Sequence, residues 1–127
     1  MDFTPPPYRI LVVDDQEQIC KMIKMVLEGM GYRIDTALNG TDAMALFQKE
    51  TFHLVITDLN MPEMDGASLT FSIKEQVPGI PVFIMTGNAD ESVKEIPADT
   101  VFRKPFNMNA FKSEVAKHLP ASKEIPV

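Results

Sequence analysis

The stretch "VITDLNMPEMDG", Val55 to Gly66, holds the reading on which the fold turns. The apolar run Leu54–Ile56 stops at Asp58, and a proline and an Asp-Gly pair follow within eight residues. A short apolar run without polar alternation has the form of a strand buried on both faces, as in a parallel sheet. A carboxylate at its end is either an exit to solvent or a reacting group held at the rim of the sheet. The rest of the chain decides between the two.

Working outward, the same grammar repeats. "RILVVDD" carries an apolar run, Ile10–Val13, of strand length. Ile19, Ile23, Val26, Leu27 and Met30 recur at helical spacing, and Gly29 and Gly31 end that helix. Tyr32–Ala37 reads as a second strand, "NGT" at 39–41 as a turn with Thr41 as N-cap, and Ala43, Leu46 and Phe47 as one face of a second helix. Leu54–Thr57 is the third strand. Leu69, Ile73 and Val77 predict a third helix starting near Asp65 or Gly66 and broken by "PGIP". Val82–Thr86 is a fourth strand, Asp90–Ile96 a short helix closed by Pro97, and Thr100–Arg103 a fifth strand. Met108, Phe111, Val115 and Leu119 predict a last helix, capped by Asn107 and ended by Pro120. Strands alternating with helices imply right-handed βαβ units and a parallel sheet covered on both faces.

Composition narrows the function classes. The chain has 127 residues, 45% of them hydrophobic, which fits one domain with a sizeable core. The net charge of −6 disfavours direct nucleic-acid binding, which needs clustered Lys and Arg. Cys20 is the only cysteine, so no internal disulfide forms, in keeping with a reducing compartment. It reads as a packing residue rather than a redox sensor. The nine methionines read as core filling, with partner binding as the role of any left exposed. No apolar run approaches the roughly 18–20 residues that span a bilayer. "MDFTPPPYR" lacks the plan of a secretory signal. A soluble cytoplasmic domain is expected.

In a parallel α/β sheet, ligands sit beyond the carboxyl ends of the strands. The expected strands end in Asp14-Asp15, Asp58, Thr86 and Lys104, so these five side chains should converge on one rim. Three neighbouring carboxylates repel one another unless a cation joins them, and Mg²⁺, hard and content with few protein ligands, suits the place. A carboxylate beside Mg²⁺, a lysine and a hydroxyl is suited to phosphoryl transfer, with the Asp as nucleophile. Singly, each element also reads as a turn residue, a helix cap or an exposed charge. The conjunction is what carries the argument.

"LVVDD" at 11–15, "ITDLNMPEMDG" at 56–66, "FIMTG" at 83–87 and "KPF" at 104–106 together resemble the receiver domain of bacterial two-component response regulators. The resemblance runs from about Tyr8 to Leu119, leaving residues 1–7 as a lead-in and 120–127 as a tail or linker. It implies the chemotaxis-regulator-like (CheY-like) α/β fold, a doubly wound parallel sheet in strand order 2-1-3-4-5. It implies that Asp58 accepts a phosphoryl group from a sensor histidine kinase or histidine phosphotransfer protein. Asp15, Asp58 and the backbone carbonyl of Asn60 would bind Mg²⁺, or Mn²⁺ in its place, with Asp14 binding directly or through water. Lys104 would contact the phosphoryl group, and Thr86, with Gly87 beside it, would move toward it. The Lys104–Pro105 bond would be cis. Asn60 and Asn88 would be plain loop residues or would tune attack of water on the acyl phosphate. The resemblance makes the chain a signalling phosphoacceptor rather than an enzyme. Its output would be a docked protein or a fused domain, and it is compatible with a phosphorylation-dependent homodimer.

Two other readings compete. A haloacid-dehalogenase-like phosphatase also uses an Asp nucleophile after a strand, but usually carries a second Asp two residues on, where this chain has Asn60. A pseudo-receiver would be an interaction module that is never phosphorylated. All five expected side chains are present, which argues against it. One departure from the family concerns output. Relatives usually carry a bulky residue three places before the lysine, and here that position is Val101, with Phe102 expected on the opposite face. Readout is therefore expected through residues 87–98 rather than through an aromatic rotamer on the fifth strand.

Overall fold

The computed structural model describes residues 7–61, 63–87 and 91–120. The lead-in at Thr4–Pro6, Asn88, Asp90 and the tail after Pro120 lie outside the described residues. The elements are β1 (Arg9–Val13), α1 (Glu17–Gly29), β2 (Arg33–Ala37), α2 (Gly40–Lys49), β3 (Leu54–Asp58), α3 (Gly66–Gln76), β4 (Val82–Thr86), a 3₁₀ turn (Glu91–Glu95), β5 (Thr100–Arg103) and α4 (Met108–His118). The five strands form one sheet in the order β2-β1-β3-β4-β5, parallel throughout.

The period-2 alternation of a strand explains why the apolar runs have no polar gaps. Ile10 and Val12 pack with Ile23, Leu27, Phe83, Phe111 and Val115 on the side of α1 and α4. Leu11 and Val13 pack with Ala43, Phe47, Val55, Leu69 and Ile73 on the side of α2 and α3. Each residue of β3 and β4 is buried, because helices cover both faces of these central strands. At the edge, β5 alternates between half-buried and exposed residues.

Three local expectations shift. The N-cap of α2 is Asn39, not Thr41: Asn39 is extended and its side chain accepts the Asp42 N–H at 2.7 Å, while Thr41 is already helical. β2 starts at Arg33, although Tyr32 remains buried and its hydroxyl donates to the Leu119 carbonyl. Val77 is not on the buried face of α3. It is the C-cap and is 43% exposed, because Pro78 disfavours helical backbone at the residue before it. The short helix expected between β4 and β5 is a 3₁₀ helix that ends before Pro97. Asp65 caps α3 through the Ser68 N–H, and Asn107 caps α4 through the Ala110 N–H. Of the methionines, Met22 and Met25 are exposed on α1.

The amino ends of β4 and β5 are tied by a charged clamp. The Asp99 carboxylate accepts from the Val82 N–H at 2.7 Å and from Lys74 Nζ at 2.8 Å, and Lys74 also donates to the Ile80 carbonyl at 2.6 Å. Burial would raise the pKa of Asp99, but the Lys74 ammonium and the Val82 N–H outweigh it and hold the carboxyl below its usual value.

The two cores set unequal costs for truncating aromatic residues. Phe83 is fully buried on a central strand, and Phe71 is 52% exposed on α3. Phe83→Ala is expected to cost about 3–5 kcal/mol through lost burial and a cavity, and Phe71→Ala less than about 0.5 kcal/mol. Urea denaturation of the two variants beside the parent checks this.

Candidate functional site

The register of the sheet brings the strand ends together. Val13 of β1 lies opposite Thr57 of β3, so the next residues, Asp14 and Asp58, sit side by side. Thr86 of β4 lies opposite Arg103 of β5, and the next residue, Lys104, donates its backbone N–H to the Thr86 carbonyl at 2.7 Å. The Lys104–Pro105 bond is cis. Buried polarity is concentrated at this rim: Asp14, Thr57, Asp58 and Thr86 are buried there, and Thr70 is the other buried polar residue among those described.

Lys104 Nζ sits 2.9 Å from Asp14 Oδ2 and 3.4 Å from Asp58 Oδ1. The second oxygen of Asp14, Oδ1, accepts the Gln16 N–H at 2.9 Å, just before α1 begins. Asp14 thus has part of the cap-like role that its position suggests, together with an ion pair. Asp15 is exposed. One oxygen from each of Asp14, Asp15 and Asp58 lies within 4.8 Å of the others.

Three carboxylates against one lysine leave excess negative charge at the edge. Burial raises the pKa of Asp58, and the nearby Asp14 raises it further, while Lys104 opposes both. Burial alone would lower the pKa of Lys104, but Asp14 and then Asp58 outweigh it and the ammonium is held above its usual value. A cation with a preference for oxygen fits this donor set: carboxylates alone, with no imidazole or thiolate, suit Mg²⁺ or Mn²⁺ rather than zinc. Asp14, Asp15 and Asp58 are the residues that would hold it.

The other expected site residues fall around this centre. Thr86 is fully buried, while Gly87 is exposed with open space where a side chain would point. Asn60 is exposed on the loop after β3. Val101 is 39% exposed. Phe102 packs inward against Phe83, Phe106 and Phe111, with ring centroids 5.1–5.6 Å apart. Cys20 is buried, with its S–H directed at the Asp14 carbonyl 3.3 Å away, and burial pushes the thiol up to about 11. A thiol held protonated in this way packs rather than reacts.

Gly66 is the residue that sequence reasoning missed. Asp65-Gly66 reads as a turn dipeptide, yet Asp65 is a helix cap and Gly66 is where α3 meets the site. A Cβ at Gly66 would lie 2.2 Å from the Asp58 carbonyl oxygen, and its N–H donates to the Leu59 carbonyl at 2.8 Å. The close approach, rather than backbone conformation, requires glycine there.

The raised pKa of Asp58 fixes the sign of its linkage. Its ionisation costs the folded state more than the unfolded one, so its contribution to stability is greatest below the unfolded pKa and is lost as pH rises through the folded pKa. Asp58→Asn is therefore expected to stabilise the cation-free protein at pH 7. The gain should shrink as acid protonates Asp58 in the parent. Urea denaturation in chelator-treated buffer across pH 4–8 (roughly the range in which carboxyl groups with raised pKa titrate) checks both the sign and the trend.

Comparisons with known proteins agree with this geometry. Residues 10–116 match the family described as the response regulator receiver domain. Sporulation initiation phosphotransferase F of Bacillus subtilis is 37% identical over 116 residues, covering 88% of this chain and 94% of that protein. The transcriptional regulatory protein ZraR of Salmonella typhimurium is 35% identical over 120 residues, covering 91% of this chain but 27% of its own length, so the chain spans about a quarter of that relative. Among solved structures, the response regulator TrrA of Thermotoga maritima, in complex with Mg²⁺ and a beryllium fluoride, superposes with a TM-score of 0.80 at 34% identity, covering 88% of this chain and 99% of that one. Chemotaxis protein CheY4 of Vibrio cholerae superposes with a TM-score of 0.83 at 28% identity, covering 89% and 99%. Among the described residues no helix is long and apolar enough to cross a membrane. On fold, matched length and sequence alike, the chain belongs to the response regulator receiver domain family.

Proposed function

We propose that Asp58 is the phosphoacceptor, taking a phosphoryl group from a phosphohistidine of a sensor histidine kinase or a histidine phosphotransfer protein. The observation that carries this reading is the position of Lys104 between Asp14 and Asp58, beside a cluster of three carboxylate oxygens. A carboxylate oxygen of Asp58 attacks phosphorus. The phosphorus–nitrogen bond breaks, its electron pair goes to the imidazole, and the imidazole takes up a proton from solvent. The product is an acyl phosphate on Asp58. Lys104, already 3.4 Å from Asp58 Oδ1, neutralises charge gathering on the phosphoryl oxygens. Asp14, Asp15 and Asp58 would hold Mg²⁺, which would add positive charge beside the phosphoryl group. Thr86 supplies a hydroxyl at the neighbouring strand end, and Asp14 holds the ammonium in place. The same residues support self-catalysed loss of the phosphoryl group but offer no acid/base partner two residues after Asp58, where Asn60 stands. The reading is therefore a signalling phosphoacceptor in the cytoplasm rather than a phosphatase.

Intact-mass spectrometry after incubation with acetyl phosphate and Mg²⁺ tests it. One phosphoryl group is expected on the parent, none on Asp58→Ala, and none on the parent when a chelator replaces the cation. Undiminished labelling of Asp58→Ala would place the acceptor elsewhere.

Output is inferred to run through the connection after β4, residues 87–98. Support comes from β5: Val101 is β-branched and stiff at χ1, and Phe102 is engaged with three other phenylalanines. Structures with and without a beryllium fluoride mimic are expected to differ in 87–98 and to keep the Phe102 rotamer. Rotation of a β5 side chain with a static 87–98 would overturn this.

A further inference from the structure

We infer that Gly40 is a positioning residue for the cation-binding edge, acting through Met64 on the loop that carries Asn60. The inference rests on the phosphoacceptor reading above. Gly40 is the first residue of α2 and is buried. Its backbone is not left-handed, since Gly31 has the positive φ among the described glycines, so conformation does not demand glycine at 40. Space does. A Cβ there would lie 2.2 Å from the Met64 carbonyl oxygen, 2.6 Å from Met64 Cβ and 2.9 Å from the Met64 carbonyl carbon. Two of these atoms are backbone and cannot swing aside.

Met64 belongs to the loop between β3 and α3, which leaves Asp58, carries Asn60 and returns at Gly66. Met61 and Met64 are half-buried against the core under α2 and α3, and Glu63 takes a positive φ of 70° to let the chain turn there. The loop is thus seated on the amino end of α2. That end is also referenced to the other half of the site. Three residues before Gly40, the Ala37 carbonyl accepts the Asp14 N–H at 3.1 Å. The short turn from Ala37 to Gly40 therefore touches Asp14 on one side and Met64 on the other. It acts as a spacer between the Asp14–Asp15 pair and the Asn60 loop. A methyl group at 40 must push these two halves apart, and Mg²⁺ tolerates little departure from octahedral geometry.

Calorimetric titration of the full chain with Mg²⁺ tests this, with Gly79→Ala as the matched control because nothing lies within 4 Å of a Cβ there. Gly40→Ala is expected to weaken Mg²⁺ binding about tenfold, as loss of an outer support commonly does, and Gly79→Ala to leave it unchanged. Labelling of Asp58 by acetyl phosphate in Gly40→Ala should need more Mg²⁺ for half-saturation, yet reach the parental rate at saturation, because Asp58 and Lys104 are untouched. Parental Mg²⁺ affinity in folded Gly40→Ala would overturn the inference, as would a lower saturated rate with unchanged half-saturation. Met64→Gly unseats the same loop without crowding α2, so it too should bind Mg²⁺ more weakly. Parental affinity there would overturn the inference even if Gly40→Ala failed to fold. A parent that binds no Mg²⁺ would overturn the phosphoacceptor reading itself, and this inference with it.

Discussion

Lys104 between Asp14 and Asp58 is the interaction on which the arrangement depends. Two buried carboxylates at the end of a parallel sheet are untenable unless a positive charge is delivered to them. The lysine follows the edge strand β5, and two strands, β3 and β4, lie between it and the strand that leads into Asp14. It arrives only because β5 pairs parallel with β4 in a register that carries the Lys104 N–H onto the Thr86 carbonyl. Strand order, register and ion pair thus require one another. The unpaired remainder of negative charge makes the edge receptive to a cation, and the chemistry inferred for Asp58 begins from that imbalance.

Much of this was legible in the sequence because the relevant signals are local. Apolar runs of strand length, each followed by a polar residue, named Asp14, Asp15, Asp58, Thr86 and Lys104, and a parallel sheet has only one carboxyl edge on which to gather them. The cap at Asn107 was legible too, and its side chain accepts a backbone N–H three residues on; the start of α3 near Asp65 was legible, but not the capping role of Asp65. The cap of α2 was misplaced by two residues because Asn39 and Thr41 are both good cap formers. The short helix expected before β5 is a 3₁₀ helix, Glu91–Glu95, that ends before Pro97 as expected.

What stayed illegible is space. Gly40 and Gly66 look like ordinary turn glycines, and neither has an unusual φ. Their importance arises from backbone of a distant segment, Met64 in one case and Asp58–Leu59 in the other, which no periodicity reports. Asp99 is similar: as a lone acid before a strand it says nothing, and its partners Lys74 and Val82 are 25 and 17 residues away.

That clamp gives the sheet a polarity under acid. Asp99 at the amino end has its pKa lowered, so the stability it contributes is present above its unfolded pKa and is lost only as pH falls through the lower folded value. Asp58 at the carboxyl end has its pKa raised and takes up its proton earlier as pH falls. As pH falls, Asp58 at the carboxyl end therefore loses its charge before Asp99, which still ties the amino ends of β4 and β5.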